Sequence, residues 1–122
     1  MILVVENEPT ARVSLSELLR EEGYQVIEAA DSDSAITEIK KISDLKVVLS
    51  CLEMPSWRTV ITQARHTAPK VFILGMVRYG ALANALEAQR LGADSYLVKP
   101  LSFDEVNGQI ERFLTGQSLI TP

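Results

Sequence analysis

The chain has 122 residues, 47% of them hydrophobic, and its 12 basic and 16 acidic side chains leave a net charge of −4. A chain of this length makes one domain that buries about two-thirds of its unfolded surface, so neither a disulfide nor a metal is needed to hold it. The acidic balance argues against direct nucleic-acid binding, which calls for a basic patch or stripe, and no apolar run approaches the ~18 residues that would mark a membrane span.

Short apolar runs alternate with longer amphipathic ones. Ile2–Val5 is expected to be a buried strand, ended by Glu6-Asn7-Glu8-Pro9. Pro9 suits a first helical turn, where its missing N–H costs nothing, and Leu15, Leu18 and Leu19 then recur at helical spacing. Gly23 fits the stop of that helix. Gln25–Ala29 reads as a second strand. Asp31 or Ser32 can cap a second helix whose inner face is Ala35, Ile36, Ile39 and Ile42. Lys46–Leu49 is a third strand, Met54-Pro55 a loop, and Ser56–His66 a third helix. Val71–Leu74, the helix Ala81–Leu91 closed by Gly92, and Ser95–Val98 follow. Ser102-Phe103-Asp104-Glu105 is a capping box, opening a fifth helix with Phe103, Val106, Ile110, Phe113 and Leu114 on its apolar side. Thr115–Pro122 reads as a frayed tail.

Alternating strands and helices predict an α/β fold, a parallel sheet covered on both faces. Right-handed crossovers and five strands favour a doubly wound, flavodoxin-like sheet of order 2-1-3-4-5, as one domain over residues 1–122. In that order the chain reverses between strands one and three, and ligands bind at their carboxyl ends. That places Glu6, Asn7 and Cys51 together before any relative is considered. The single cysteine cannot make an internal disulfide, and MILVVENEP lacks the basic start and long apolar core of a secretory signal. A reducing cytoplasm is the expected compartment.

These segments resemble the receiver domain of bacterial two-component response regulators. ILVVENEP is similar to the family's ILVVDDEP, LSCLEMP to its LLDLxMP, and YGALANALEAQRLGADSYLVKP to its stretch from the fourth helix through the fifth strand. The resemblance implies a phosphorelay switch in which a third-strand aspartate takes a phosphoryl group from a histidine kinase. An acidic pair holds Mg²⁺, and a hydroxyl residue and a lysine contact the phosphoryl oxygens. Mg²⁺ needs hard oxygen ligands and neutralises the transferring group.

Carried over by position, the acidic pair falls on Glu6 and Asn7, and the nucleophile on Cys51. The hydroxyl residue falls on Val77 when counted back from Gly92, or on Gly75 when counted forward from Val71. Lys99 and the switch aromatic, Tyr96, are retained. Glu53 takes the place that lends a backbone carbonyl to the metal, and Lys99-Pro100 the place of a cis bond. The glycine expected after Met54-Pro55 is absent. Thiolate is a soft ligand, poorly matched to Mg²⁺. The expectation is therefore a pseudo-receiver: not an enzyme, without a cofactor beyond weak Mg²⁺ at Glu6 and Glu53, acting by phosphorylation-independent contact with a protein partner. A working phosphorelay receiver, or a thiol redox sensor through Cys51, are the alternatives.

Around this pocket, Lys99 is expected to pair with Glu6 or Glu53, because an unpaired lysine in a cleft is costly. Cys51 reads as a small apolar filler. Trp57 can anchor a partner or lie over the pocket, and His66 is a solvated helix-end residue. The small and apolar residues of the fourth helix, Ala81 to Leu91, wrap further than one buried stripe requires. The fourth helix, fifth strand and fifth helix are the family's output and dimerisation face, so a histidine kinase, an output domain or a second copy are the expected partners.

Overall fold

The computed structural model describes residues 1–116. β1 (Ile2–Val5) and β3 (Val47–Cys51) are buried at every position, the pattern of strands covered on both faces. β2 (Val26–Ala29), β4 (Phe72–Arg78) and β5 (Ser95–Lys99) complete a five-stranded sheet of order β2-β1-β3-β4-β5, with every neighbouring pair parallel. The predicted fold class and strand order are those observed.

Local chemistry sets the helix boundaries. α1 (Pro9–Glu21) starts on Glu8, whose carboxylate accepts from the N–H groups of Thr10 and Ala11 at 3.2 and 2.7 Å, and the chain leaves it through Gly23 at φ +95°. α2 (Ser32–Lys41) is capped by Asp31, which accepts from the Ser34 N–H at 2.8 Å. Ser32, the alternative cap, instead donates its hydroxyl to the Pro55 carbonyl at 2.6 Å. α3 (Trp57–Thr67) follows Ser56, which adopts a left-handed φ of +62°. A serine in that conformation carries roughly 1 kcal/mol of strain. α4 (Leu82–Leu91) ends on Gly92, and α5 (Phe103–Leu114) begins at Ser102, which accepts from the Glu105 N–H at 3.4 Å. The return half of the predicted box is not among the hydrogen bonds of the described residues. Lys99-Pro100 is cis, as the resemblance implies.

α1 and α5 pack together on one face of the sheet; α2, α3 and α4 cover the other. One apolar core runs through all ten elements. Phe72 and Phe113 stack with centroids 4.7 Å apart and hold α5 to the sheet.

Several expectations need correction. β3 and β4 run past their predicted ends, by two and four residues, because backbone pairing continues through Ser50, Cys51, Gly75 and Met76 although the apolar run has stopped. Leu18 is not part of the buried stripe of α1: Leu15 and Leu19 are buried, but Leu18 is 40% exposed. Leu114 is likewise exposed on α5. Of the predicted frayed tail, Thr115 and Gly116 cap α5, and residues 117–122 lie outside the described residues.

Candidate functional site

The carboxyl ends of β1, β3 and β5 converge on one cluster. Glu6 follows β1 and is buried; Cys51 is the last residue of β3 and 1% exposed; Lys99 is the last residue of β5 and partly buried. Lys99 Nζ donates to Glu6 Oε1 at 2.5 Å and lies 3.7 Å from Cys51 Sγ. The thiol is 3.9 Å from Asn7 Oδ1. The other Glu6 oxygen accepts from the Glu8 N–H at 3.1 Å, so both oxygens of this buried carboxylate are satisfied. Of the two partners foreseen for Lys99, the structure selects Glu6.

Glu53 does not join the cluster. Its carboxylate turns to the end of β4 and accepts from the Arg78 N–H at 2.6 Å. Among the described residues, no group of three His, Cys, Asp or Glu side chains is arranged to hold a metal ion.

Burial pushes the Cys51 thiol up. A backbone hydrogen bond at Glu53 and the Lys99 charge oppose that, and the Glu6 and Glu53 charges add to it. The thiol is therefore held protonated at neutral pH, a weak nucleophile and a poor metal ligand. For Lys99, burial works to lower its affinity for a proton, but the bond to Glu6 and the surrounding negative charge outweigh it, and the net direction is up.

The register of β4 fixes the neighbours of both positions that counting left open. Gly75 is paired with Ser50 on one side and Tyr96 on the other, whereas Val77 is paired with Val98. The two extra residues extend β4 itself, and the register makes Gly75 the neighbour of the switch aromatic. A Cβ on Gly75 would lie 2.5 Å from Leu52 Cδ1, so the Leu52 side chain occupies the space that a larger residue would need. Alternation along the strand puts Gly75 and Val77 on one face of β4, opposite Met76, the residue that lines a cavity with Glu6 and Lys99. Neither position carries a hydroxyl. Tyr96 is half-buried against the core.

Trp57 is 3% exposed in the first turn of α3, so it presents no surface to a partner; Arg58 lies over its ring at 4.5 Å and makes a two-pronged pair with Glu87 of α4, at 2.6 and 2.8 Å. His66 is exposed near the end of α3. Sequence reasoning missed Asn84, whose amide donates to the Leu52 carbonyl at 2.8 Å and ties α4 to the loop after β3. Its one signal was a polar residue in the first turn of α4, among Leu82, Ala83, Ala85 and Leu86. On α4 itself, Ala85 and Ala88 are buried, while Leu82 and Leu86 are about half exposed, as is Val98 on β5.

A doubly wound parallel sheet of order 2-1-3-4-5, with acidic, thiol and lysine groups gathered at the switch point, defines a flavodoxin-like fold with its candidate site at the carboxyl ends of the strands. The chain belongs to the response regulator receiver domain family, whose model matches residues 2–111. It is similar to the transcriptional regulatory protein ZraR of Escherichia coli O157:H7, 31% identical over 122 residues, covering 98% of this chain and 27% of ZraR. Sporulation initiation phosphotransferase F of Bacillus subtilis is 26% identical, over 96% of this chain and 95% of that protein. A response regulator receiver domain protein from Clostridium thermocellum superposes with a TM-score of 0.87 at 24% identity, covering 94% of each chain, which is a likeness of fold. The chain spans about a quarter of the length of ZraR and of FleR from Pseudomonas aeruginosa.

Proposed function

We propose that this chain is an atypical receiver that signals by contact with a protein partner and does not pass a phosphoryl group to β3. The observation that carries this reading is the Glu6–Lys99 pair. The carboxylate that would serve a metal and the ammonium that would serve a phosphoryl group are already bonded to each other. Three further features support it. Cys51 stands where the family pattern has its acceptor aspartate, Asn7 replaces one of the acidic pair, and Gly75 offers no hydroxyl. A protonated thiol is a poor ligand for Mg²⁺, and Glu53 is engaged by β4.

On this reading the chain is not an enzyme, needs no resident cofactor and works in the cytoplasm. Its partners are a histidine kinase, an output domain or a second copy, the last meeting it through Leu82, Leu86 and Val98 on the α4–β5 face. The names of relatives such as sporulation initiation phosphotransferase F keep the phosphorelay alternative in view. The redox alternative is disfavoured by the burial of Cys51 and the upward displacement of its pKa.

The test is intact mass after incubation with Mg²⁺ and acetyl phosphate. No adduct is expected, and a stoichiometric phosphate adduct overturns the proposal. Cys51→Asp alone is also expected to remain unmodified, because Asn7 and Gly75 still depart from the pattern; robust labelling of that variant would show that the cysteine is the sole defect.

A further inference from the structure

A cleft of about 300 Å³ opens between α1 and the start of α5. Leu15, Leu18, Leu101 and Phe103 form its walls, Met76 its floor, and the Glu6–Lys99 pair its polar end. This is the low end of the size range of small-molecule sites, with room for roughly ten non-hydrogen atoms at the ~30 Å³ that a liquid water molecule occupies. The exposure of Leu18 is accounted for here: it lies on the rim of the cleft, at 40%, while its neighbours Leu15 and Leu19 are buried.

We infer that this cleft binds a small uncharged amphiphile whose carbonyl oxygen accepts a hydrogen bond from Lys99. An ammonium has three N–H donors. One goes to Glu6 and a second faces the Cys51 sulfur, and no partner for the third is found among the described residues. The lysine charge is already balanced by a buried carboxylate, so a ligand carboxylate or phosphate would be set beside Glu6 and repelled. A neutral acceptor uses the remaining donor without that penalty, and its hydrocarbon part covers Leu18, Leu101 and Phe103, where each buried methylene is worth about 0.8 kcal/mol. The site rests on the proposed reading, because a phosphoryl group on β3 or a bound Mg²⁺ would engage Lys99 or Glu6; intact mass after acetyl phosphate tests that reading separately from the ligand titration.

The experiment is an amide NMR titration of the full chain with methyl hexyl ketone and, separately, octanoate. The ketone is expected to give saturable shifts at Leu18, Leu101 and Phe103, with octanoate at least about tenfold weaker. Leu18→Asp, at an exposed rim position, should abolish the ketone shifts and leave the rest of the spectrum unchanged. Glu6→Gln keeps a hydrogen-bonding side chain but frees the lysine charge, and should reverse the preference toward octanoate. Absence of saturable shifts with the ketone, equal binding of octanoate by the unmodified protein, or unchanged selectivity in Glu6→Gln would each overturn the assignment. So would shifts that map to another surface, such as a face better suited to a partner helix.

Discussion

Lys99→Met tests whether the Glu6–Lys99 pair holds this site together. The substitution keeps most of the length and apolar character of the stem and removes the ammonium, with both its charge and its N–H donors. Glu6, whose side chain is 3% exposed, is then left as a buried carboxylate without a counter-charge. Unit charges 2.5 Å apart attract by about 6–7 kcal/mol at an effective dielectric near 20. Desolvation offsets several kcal/mol of that, and removing one partner of a buried pair typically costs about 3–5 kcal/mol. A domain of this size has about 5–15 kcal/mol to lose. Urea denaturation at neutral pH is therefore expected to show Lys99→Met destabilised by about 3–4 kcal/mol. The cost is asymmetric. Glu6→Gln leaves a lysine whose side chain is 27% exposed and can turn to water, and should cost only about 1–2 kcal/mol. The double variant, with no buried charge, should recover to within about 1–2 kcal/mol of the parent. A Lys99→Met loss below about 1 kcal/mol, the range of a solvated surface pair, would refute the buried-pair reasoning.

The same pair predicts alkaline behaviour. Because the folded state raises the Lys99 pKa, its contribution is complete below the ordinary lysine value of about 10.4 and is lost as pH climbs through the higher folded value. Stability measured as pH climbs above about 10 should therefore fall more steeply in the parent than in Lys99→Met, with no difference in slope between pH 7 and about 9. For Gly75→Ala, the new Cβ meets Leu52 Cδ1 at 2.5 Å, and Leu52 is fully buried, so the cost should be about 1–3 kcal/mol; an unchanged melting temperature would show that Leu52 has room to turn. Alkylation of Cys51 by iodoacetamide should be slower than for a free thiol, with its pH midpoint above that of a free thiol, because burial favours the protonated form; rapid alkylation at pH 7 would restore the redox alternative.

Much of this molecule can be read from short stretches of the chain. The capping carboxylate of Asp31, the Ser102 cap and the stop at Gly23 act within a few residues, and they set helix boundaries to within a residue or two. Unbroken apolar runs such as Ile2–Val5 marked strands covered on both faces. Alternation of the two kinds of segment then implied a parallel sheet with its site at the carboxyl ends of β1 and β3. Tertiary structure decided what depends on residues far apart in the chain. β4 continues to Arg78 because β3 and β5 supply backbone partners, whatever side chains it carries. That register set Gly75 beside Tyr96 and Val77 beside Val98. Periodicity placed Leu18 with Leu15 and Leu19, but only the position of α5 beside α1 left it on the rim of a cleft. The choice of Glu6 over Glu53 for Lys99 is a contact across 93 positions of sequence. Local pattern showed that the lysine needed a carboxylate; the sheet brought Glu6 within reach and turned Glu53 toward β4.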